Sequence, residues 1–428
     1  MTTALSFSEA LRIWTKIGLL SFGGPTAQIA LMHRVIVDEK KWLSEQQFLN
    51  ALGFCMLLPG PEAMQLATYS GWRLHGLKGG LAAGLMFVLP GAFVVLALAM
   101  IYAAFGNVPV VEALFLGVKA AVLVIVVEAL LRIAKRALKA REHWLLAALS
   151  FVAIFFLALP FPLIVLLAAL YGFWRGTSEP IDDSHSSVIT VSPRETLTTI
   201  ITWLAIWAAP LVAIAVTLGR DNVLSQLGWF FSKLAVVTFG GAYAVLAYMG
   251  QEVVLDHNWL DAGQMMDGLG LAETTPGPLI LVTEFVGYVA AFQHGGNASL
   301  TYGLAGALVA LWATFAPCFL WIFAGAPYID WITGQPRLRA ALSAITAAVV
   351  GVILNLAVWF ALHVFFADVE EKRIGIVHLW SPDFATLDWR VVVLAVLSGG
   401  LLLWRHWGIA QVLSVSALGA LCLNFLSA

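Results

Sequence analysis

Charge is what this sequence has least of. Asp, Glu, Lys and Arg together make up 11% of its 428 residues, where a soluble chain of this length runs at about a quarter. So few polar side chains cannot cover a water-facing surface, which excludes an ordinary globular protein. The formal net charge is −2, which excludes the basic footprint that nucleic acid binding needs. Cysteine is nearly absent: Cys55, Cys318 and Cys422 stand in apolar segments at unrelated spacings. Neither a disulfide framework nor a zinc pattern follows from them. No His/Glu metal cluster, nucleophile motif or nucleotide loop is found, so no metal, no cofactor and no enzymatic activity are expected. A clean signal peptide is missing too, since Glu9, Arg12 and Lys16 interrupt the first apolar stretch.

Apolar residues fill the space. They account for 61% of the chain, and the mean hydropathy is +0.90. Long apolar runs recur, among them 81–104, 110–131, 301–324 and 340–366. Each is long enough to cross a hydrocarbon layer of roughly 30 Å, which takes about 20 helical residues. The runs are continuous rather than alternating, so helices and not a β-barrel are expected.

The chain also repeats itself. Phe22-Gly23-Gly24 recurs as Phe239-Gly240-Gly241, 217 positions on, and Trp42-Leu43 recurs at the same offset as Trp259-Leu260. Pro59-Gly60-Pro61 returns as Pro276-Gly277-Pro278, again without a gap. Lys16 matches Lys233, Ser21 matches Thr238, Gln47 matches Gln264, and roughly a third of positions 16–61 are identical to their partners. Beyond these motifs the register slips by about ten residues, so that Pro90 aligns with Pro317 and Lys119 with Thr346. Chance between apolar helices produces scattered Leu and Ala matches, not three Gly/Pro/Trp clusters at one offset. The expected organisation is a first repeat over 6–175, a polar cytoplasmic linker over 176–196 carrying Asp182 and Asp183, and a linking helix plus second repeat over 197–428.

Basic residues orient the chain. Arg132, Lys135, Arg136, Lys139 and Arg141 form one cluster, and Arg337 with Arg339 another; excess Lys/Arg marks the cytoplasmic side. Six segments, one linking helix over 197–218 and six more satisfy both clusters, with the N-terminus inside and the C-terminus outside. The expected fold class is therefore an all-α integral membrane protein of about 13 segments, built from two repeats of inverted topology, as many secondary transporters are. The segments 144–159 and 163–174, turning at Pro160 and Pro162, are short and could be half-spanning, and those around the two PGP motifs could be re-entrant.

The repeated motifs are helix breakers. Proline in a helix interior removes a donor and clashes with the turn before it, so two prolines flanking a glycine should stop one helix and start another. Unwound backbone at membrane depth is viable only when buried in protein or facing water, and a half-helix start offers free N–H groups and a positive dipole end to an anion. Candidate anion-site residues are Ser21, Phe22, Gly23, Gly24, Pro59, Gly60, Pro61 and Gln65 in the first repeat. Their counterparts in the second are Thr238, Phe239, Gly240, Gly241, Thr274, Thr275, Pro276, Gly277 and Pro278. Intramembrane charge marks functional positions by default, which makes Lys16, Lys233, Glu62, Glu273 and Lys119 candidates for countercharge or ion coupling. Lys16 and Lys233 could equally snorkel to an interface, and Lys119 requires a buried partner or water.

Phe22-Gly-Gly-Pro25, the stretch 58–67 (LPGPEAMQLA), Gly71-Trp72-Arg73 and Leu89-Pro90 resemble the first half of the chromate ion transporter family, in its long two-domain form. Phe239-Gly-Gly-Ala-Tyr243 and the stretch 272–279 (AETTPGPL) are similar to its second half. The resemblance implies export of chromate across the cytoplasmic membrane of a bacterium and resistance to it, with sulfate as the look-alike dianion. A sulfate or other anion carrier and a passive anion channel are the alternatives. The partners expected are the lipid bilayer and a small inorganic anion, and a homodimer stays open.

Overall fold

A computed structural model describes residues 6–106, 108–176, 192–239, 241–296 and 299–427. Most of the linker, including Asp182 and Asp183, and Gly240 of the second glycine pair lie outside the described residues. The first repeat contains α1 (Phe7–Leu20), α2 (Gly24–His33), α3 (Glu45–Cys55), α4 (Glu62–Phe105), α5 (Pro109–Ala137), α6 (Arg141–Phe155) and α7 (Phe161–Arg175). Then follow α8 (Pro193–Leu218), α9 (Val223–Val237), α10 (Ala242–Gln251), α11 (Ala262–Thr274), α12 (Val282–His294), α13 (Leu300–Gly325) and α14 (Ile329–Thr333). The chain closes with α15 (Pro336–Phe365), the hairpin strands β1 (Val369–Ile374) and β2 (Val377–Pro382), α16 (Trp389–Gly399) and α17 (Ile409–Ser427). It is an α-helical, multi-pass membrane protein. Among the described residues, five helical stretches are long and apolar enough to cross a bilayer: Glu62–Phe105, Pro109–Ala137, Pro193–Leu218, Leu300–Tyr328 and Pro336–Phe365. The 15 residues each of α6 and α7 reach about 22 Å, short of the hydrocarbon thickness.

Two features depart from the expected pattern. α4 is interrupted at His75 and Gly76, whose backbones leave helical geometry, with Gly76 at φ +62°. The antiparallel hairpin β1–β2 turns at Gly375, φ +64°. It begins where the apolar run of α15 gives way to Glu370-Glu371-Lys372-Arg373, all exposed. Four charges in a row cannot enter hydrocarbon, and pairing two strands satisfies the backbone outside it.

The chain folds into two compact units. Unit 1 comprises 1–98, 175–242 and 275–340; unit 2 comprises 99–174, 243–274 and 341–428. Within unit 1, α12 and α13 cross where Gly287 meets Gly306: a Cβ on Gly306 would lie 2.2 Å from the Gly287 carbonyl oxygen. Within unit 2, α5 and α17 cross at Gly117, where a Cβ would lie 2.1 Å from the Ser416 carbonyl oxygen, and the Ser416 hydroxyl donates to the Gly117 carbonyl (2.8 Å). Lipid supplies no hydrophobic drive between helices, so such small-residue crossings and interhelical hydrogen bonds hold the bundle.

Local structure follows the sequence repeat closely. A π-helical turn closes α2 at Arg34–Glu39 and another follows α10 at Glu252–Asp256. Lys41 and Asn258, at matched positions, both adopt left-handed backbone, φ +53° and +52°. Ser44 and Gln47 form a reciprocal cap on α3, and Asp261 and Gln264 form the same cap on α11. Each cap satisfies two otherwise orphaned donors.

Candidate functional site

The glycine pairs and the PGP motifs are the places where the helices of the two repeats stop. α1 ends at Leu20, and Gly23, φ +84°, and Gly24, φ +75°, turn the chain into α2 with Pro25 in its first turn. α9 ends at Val237, and Gly241, φ +98°, leads into α10. α3 ends at Cys55 and α4 starts at Glu62; between them Gly60 takes φ +121°. α11 ends at Thr274, and past Gly277, φ +92°, a short 3₁₀ turn at Leu279–Leu281 opens α12. At the breaks, the matched pairs Gly24/Gly241 and Gly60/Gly277 all lie in the left-handed region, where a side chain costs about 1–2 kcal/mol.

Within unit 1 these breaks are bonded to each other, and the bonding is reciprocal. The Gly60 amide of the first PGP donates to the Thr238 carbonyl beside the second glycine pair (2.9 Å). The Gly277 amide of the second PGP donates to the Ser21 carbonyl beside the first (2.9 Å). These two bonds are one contact made twice at the 217-residue offset. They also satisfy unwound amides that hydrocarbon could not. The Ser21 and Thr238 hydroxyls, expected as donors to a ligand, instead donate to their own helices, at Ile17 and Leu234; their carbonyls tie the repeats. Close packing locks the arrangement: a Cβ on Gly91 would stand 2.1 Å from the Pro276 carbonyl oxygen.

A small, partly open cleft lies among the breaks, wholly within unit 1. It is lined by Pro25 and Gln28, by Gly60 through Ala63, by Thr238, Gly241 and Ala242, and by Pro278 through Ile280. All four breaks therefore contribute to one cavity. The starts of α4 and of the 3₁₀ turn before α12 both face it, and first-turn amides have no acceptor within their own helix. Two half-helix starts bring first-turn amides and positive dipole ends to a cleft whose lining is otherwise largely apolar. The one charged type among the lining residues is a carboxylate, Glu62 at the first position of α4.

The candidates from the sequence divide accordingly. Gly60, Pro61, Glu62, Thr238, Gly241 and Pro278 line the cleft. Pro59 accepts from the Gln65 side-chain amide (2.7 Å), which braces the break from behind. Gly23, Gly24, Pro276 and Gly277 shape the turns, and Phe22 points outward, 48% exposed. Phe239 is half-buried and Thr275 buried, neither among the lining residues; Thr274 is exposed and bonded to its own helix at Leu271. Lys16 is exposed and Lys233 half-buried, and neither belongs to the cleft lining. Glu273 and Lys119 fall in unit 2, where Glu273 accepts from the Tyr243 hydroxyl (2.6 Å) and Lys119 meets Asp267 (3.5 Å).

Gln28 is a site residue that pattern reading passes over. Fully buried in α2, it donates to both the Ser21 carbonyl (3.2 Å) and the Gly277 carbonyl (2.6 Å). One side chain so joins the first glycine pair to the second PGP. Its signal was present in the sequence, as a lone amide in the apolar stretch one turn after the Gly24-Pro25 break. Asp267 and Glu284, each an acid within an apolar helix and almost fully buried, were legible on the same ground.

The chromate transporter family model matches residues 8–173 and 225–423. A chromate transport protein of Pseudomonas aeruginosa is 31% identical over 416 residues, covering 94% of this chain and 92% of its own length. One of Cupriavidus metallidurans is 31% identical over 355 residues, 82% of each chain. A probable chromate transport protein of Synechococcus elongatus is 29% identical over 406 residues, covering 92% and 95%. No solved structure matches the chain.

Proposed function

The chain belongs to the chromate transporter family, and on that premise we propose that it is a secondary transporter exporting chromate from the cytoplasm through the four-break cleft. The observation that carries this reading is the cleft itself: two half-helix starts and two glycine turns, contributed equally by both repeats and cross-tied by Gly60–Thr238 and Gly277–Ser21. A tetrahedral dianion suits a wall of N–H donors, which can reach several of its oxygens at once. In this reading Gly60, Pro61 and Pro278 set the donor geometry, and Gln28 and Gln65 hold it. Glu62 faces the anion, and a dianion beside a carboxylate in low dielectric is strongly repelled. Glu62 is therefore protonated when the anion is bound, which makes it the coupling group of the cleft.

The repeats are of inverted topology, with the N-terminus and the Arg132–Arg141 cluster cytoplasmic and the C-terminus external. Paired broken helices at matched repeat positions support this, as does the placement of the two basic clusters. Export follows from the membrane potential: moving two negative charges out of an inside-negative cell is favourable by about 4–5 kcal/mol per 100 mV. That term is enough to lower internal chromate and so confer resistance.

Uptake of radiolabelled chromate and of radiolabelled sulfate into everted vesicles tests the reading, with and without an imposed potential. Saturable chromate accumulation that rises with the potential is the expected result. Preference for sulfate would reassign the substrate, and non-saturating flux at channel rates would replace the carrier with a pore.

A further inference from the structure

Unit 2 contains a second polar centre, separate from the cleft lining, built on the seam between α5 and α11. Asp267, 4% exposed, sits in the middle of α11. Its Oδ2 accepts from the Tyr102 hydroxyl at the end of α4 (2.8 Å) and lies 3.5 Å from the Lys119 ammonium on α5. Its Oδ1 is buried without a hydrogen-bond partner. Lys119 lies ten residues into α5, about 15 Å along it, within the hydrocarbon layer if the apolar run of α5 spans it.

The seam leaves the carboxylate no room for a hydration shell. A Cβ on Gly270, one turn after Asp267, would stand 2.2 Å from a Val118 methyl, and one on Gly263 would stand 2.8 Å from the Lys119 ammonium. The other charged groups near the centre are Asp261, ahead of α11, and Glu112, in the first turn of α5, both at electrostatic range. α17, which also packs on α11, contributes no Asp, Glu, His, Lys or Arg. A lone buried charge in hydrocarbon is costly, but a carboxylate and an ammonium in contact compensate each other.

We propose that Asp267 is a proton-binding site, and that loading a proton on its open Oδ1 releases Lys119 and loosens α11 from α5. The proton comes from water and forms the O–H bond of a neutral carboxylic acid; Lys119 stays an ammonium throughout. At 27% side-chain exposure it is free to turn towards a polar environment. Tyr102 keeps its hydrogen bond to Oδ2 in both states. The change is transmitted by covalent continuity. α11 runs from Asp267 to Thr274 and passes directly into Pro276-Gly277-Pro278, the second break of the cleft. The Tyr243–Glu273 hydrogen bond ties the start of the 243–274 excursion to its end, so movement of α11 is delivered to both breaks of the second repeat. This inference rests on the transport reading for its purpose, not for its chemistry.

Two readouts on the purified full-length protein separate the two. Infrared titration in detergent should show one carboxylic C=O band that disappears in Asp267→Asn and persists in Glu62→Gln. In proteoliposomes, Asp267→Asn should keep label-for-label chromate exchange within about threefold while the stimulation of net flux by a pH gradient falls by at least tenfold. The double variant Lys119→Gln/Asp267→Asn, which leaves no unpaired charge, should behave the same and covers the case in which the single variant fails to insert. An unchanged infrared band, or gradient stimulation within twofold of wild type in either variant, overturns the proposal. Absence of chromate exchange in the wild type would overturn the transport reading instead, and the infrared arm would still decide whether Asp267 binds a proton.

Discussion

The two repeats build the same backbone and furnish it differently. Gly60 and Gly277 adopt the same left-handed turn, donate the same amide and find the same kind of acceptor, at Thr238 and at Ser21. The side chains around them do not match. The first repeat brings Gln28, Glu62 and Gln65; the second has Val245, Leu279 and Val282 at those positions. Symmetry thus supplies the place, a cleft between paired breaks, and on the proposed reading the side-chain chemistry comes mainly from the first repeat. A duplicated scaffold can keep its main-chain contacts, which need only glycine and proline, while one copy loses its polar groups.

The comparison breaks most sharply at the glycines. Alanine at Gly60 would place a Cβ 2.8 Å from the Gln65 amide nitrogen and 3.0 Å from the Cys318 sulfur, and alanine at Gly277 would place one 2.9 Å from Leu281. Added to about 1–2 kcal/mol of left-handed strain, this should cut chromate flux about tenfold or more in each variant, with insertion unchanged by membrane fractionation. A loss in one variant only would mean that the repeats do not share a site. Next comes Gln28→Leu, which removes two bonds and takes the side-chain donor from the Gly277 carbonyl, while the Ser21 carbonyl keeps the Gly277 amide; the loss is about 1–3 kcal/mol. Apparent affinity for chromate should weaken about tenfold, whereas Val245→Ala at the matched position should leave it within about twofold. Glu62→Gln sharpens the chemical side. In the wild type, raising the pH deprotonates Glu62 and should weaken chromate binding, while the glutamine variant should bind with an affinity independent of pH. The smallest effect belongs to Thr274→Ala, whose hydroxyl is exposed and bonded to its own helix; flux within about twofold of wild type is expected.

The breaks were legible in the sequence because glycine and proline act locally: each removes a donor or admits a left-handed turn whatever surrounds it. The duplication was legible for the same reason, since the breakers carry it. Partnership was not. Nothing local says that the Gly60 amide meets Thr238 rather than its own repeat, or that Ser21 and Thr238 spend their hydroxyls on their own helices and act through carbonyls. Lys119 announced the need for a buried partner, yet Asp267 stands 148 positions away, and only the packing of α11 on α5 joins them. The hairpin after α15 was missed because β1 carries four consecutive charges, Glu370 to Arg373, rather than an apolar alternation.

The central claim is that two sets of broken helices make one anion site. Equilibrium binding of radiolabelled chromate to the purified protein tests it directly by stoichiometry. One chromate per chain, with binding abolished by Gly60→Ala alone and by Gly277→Ala alone, is the result predicted. Two chromates per chain, each lost only with the substitution in its own repeat, would contradict it.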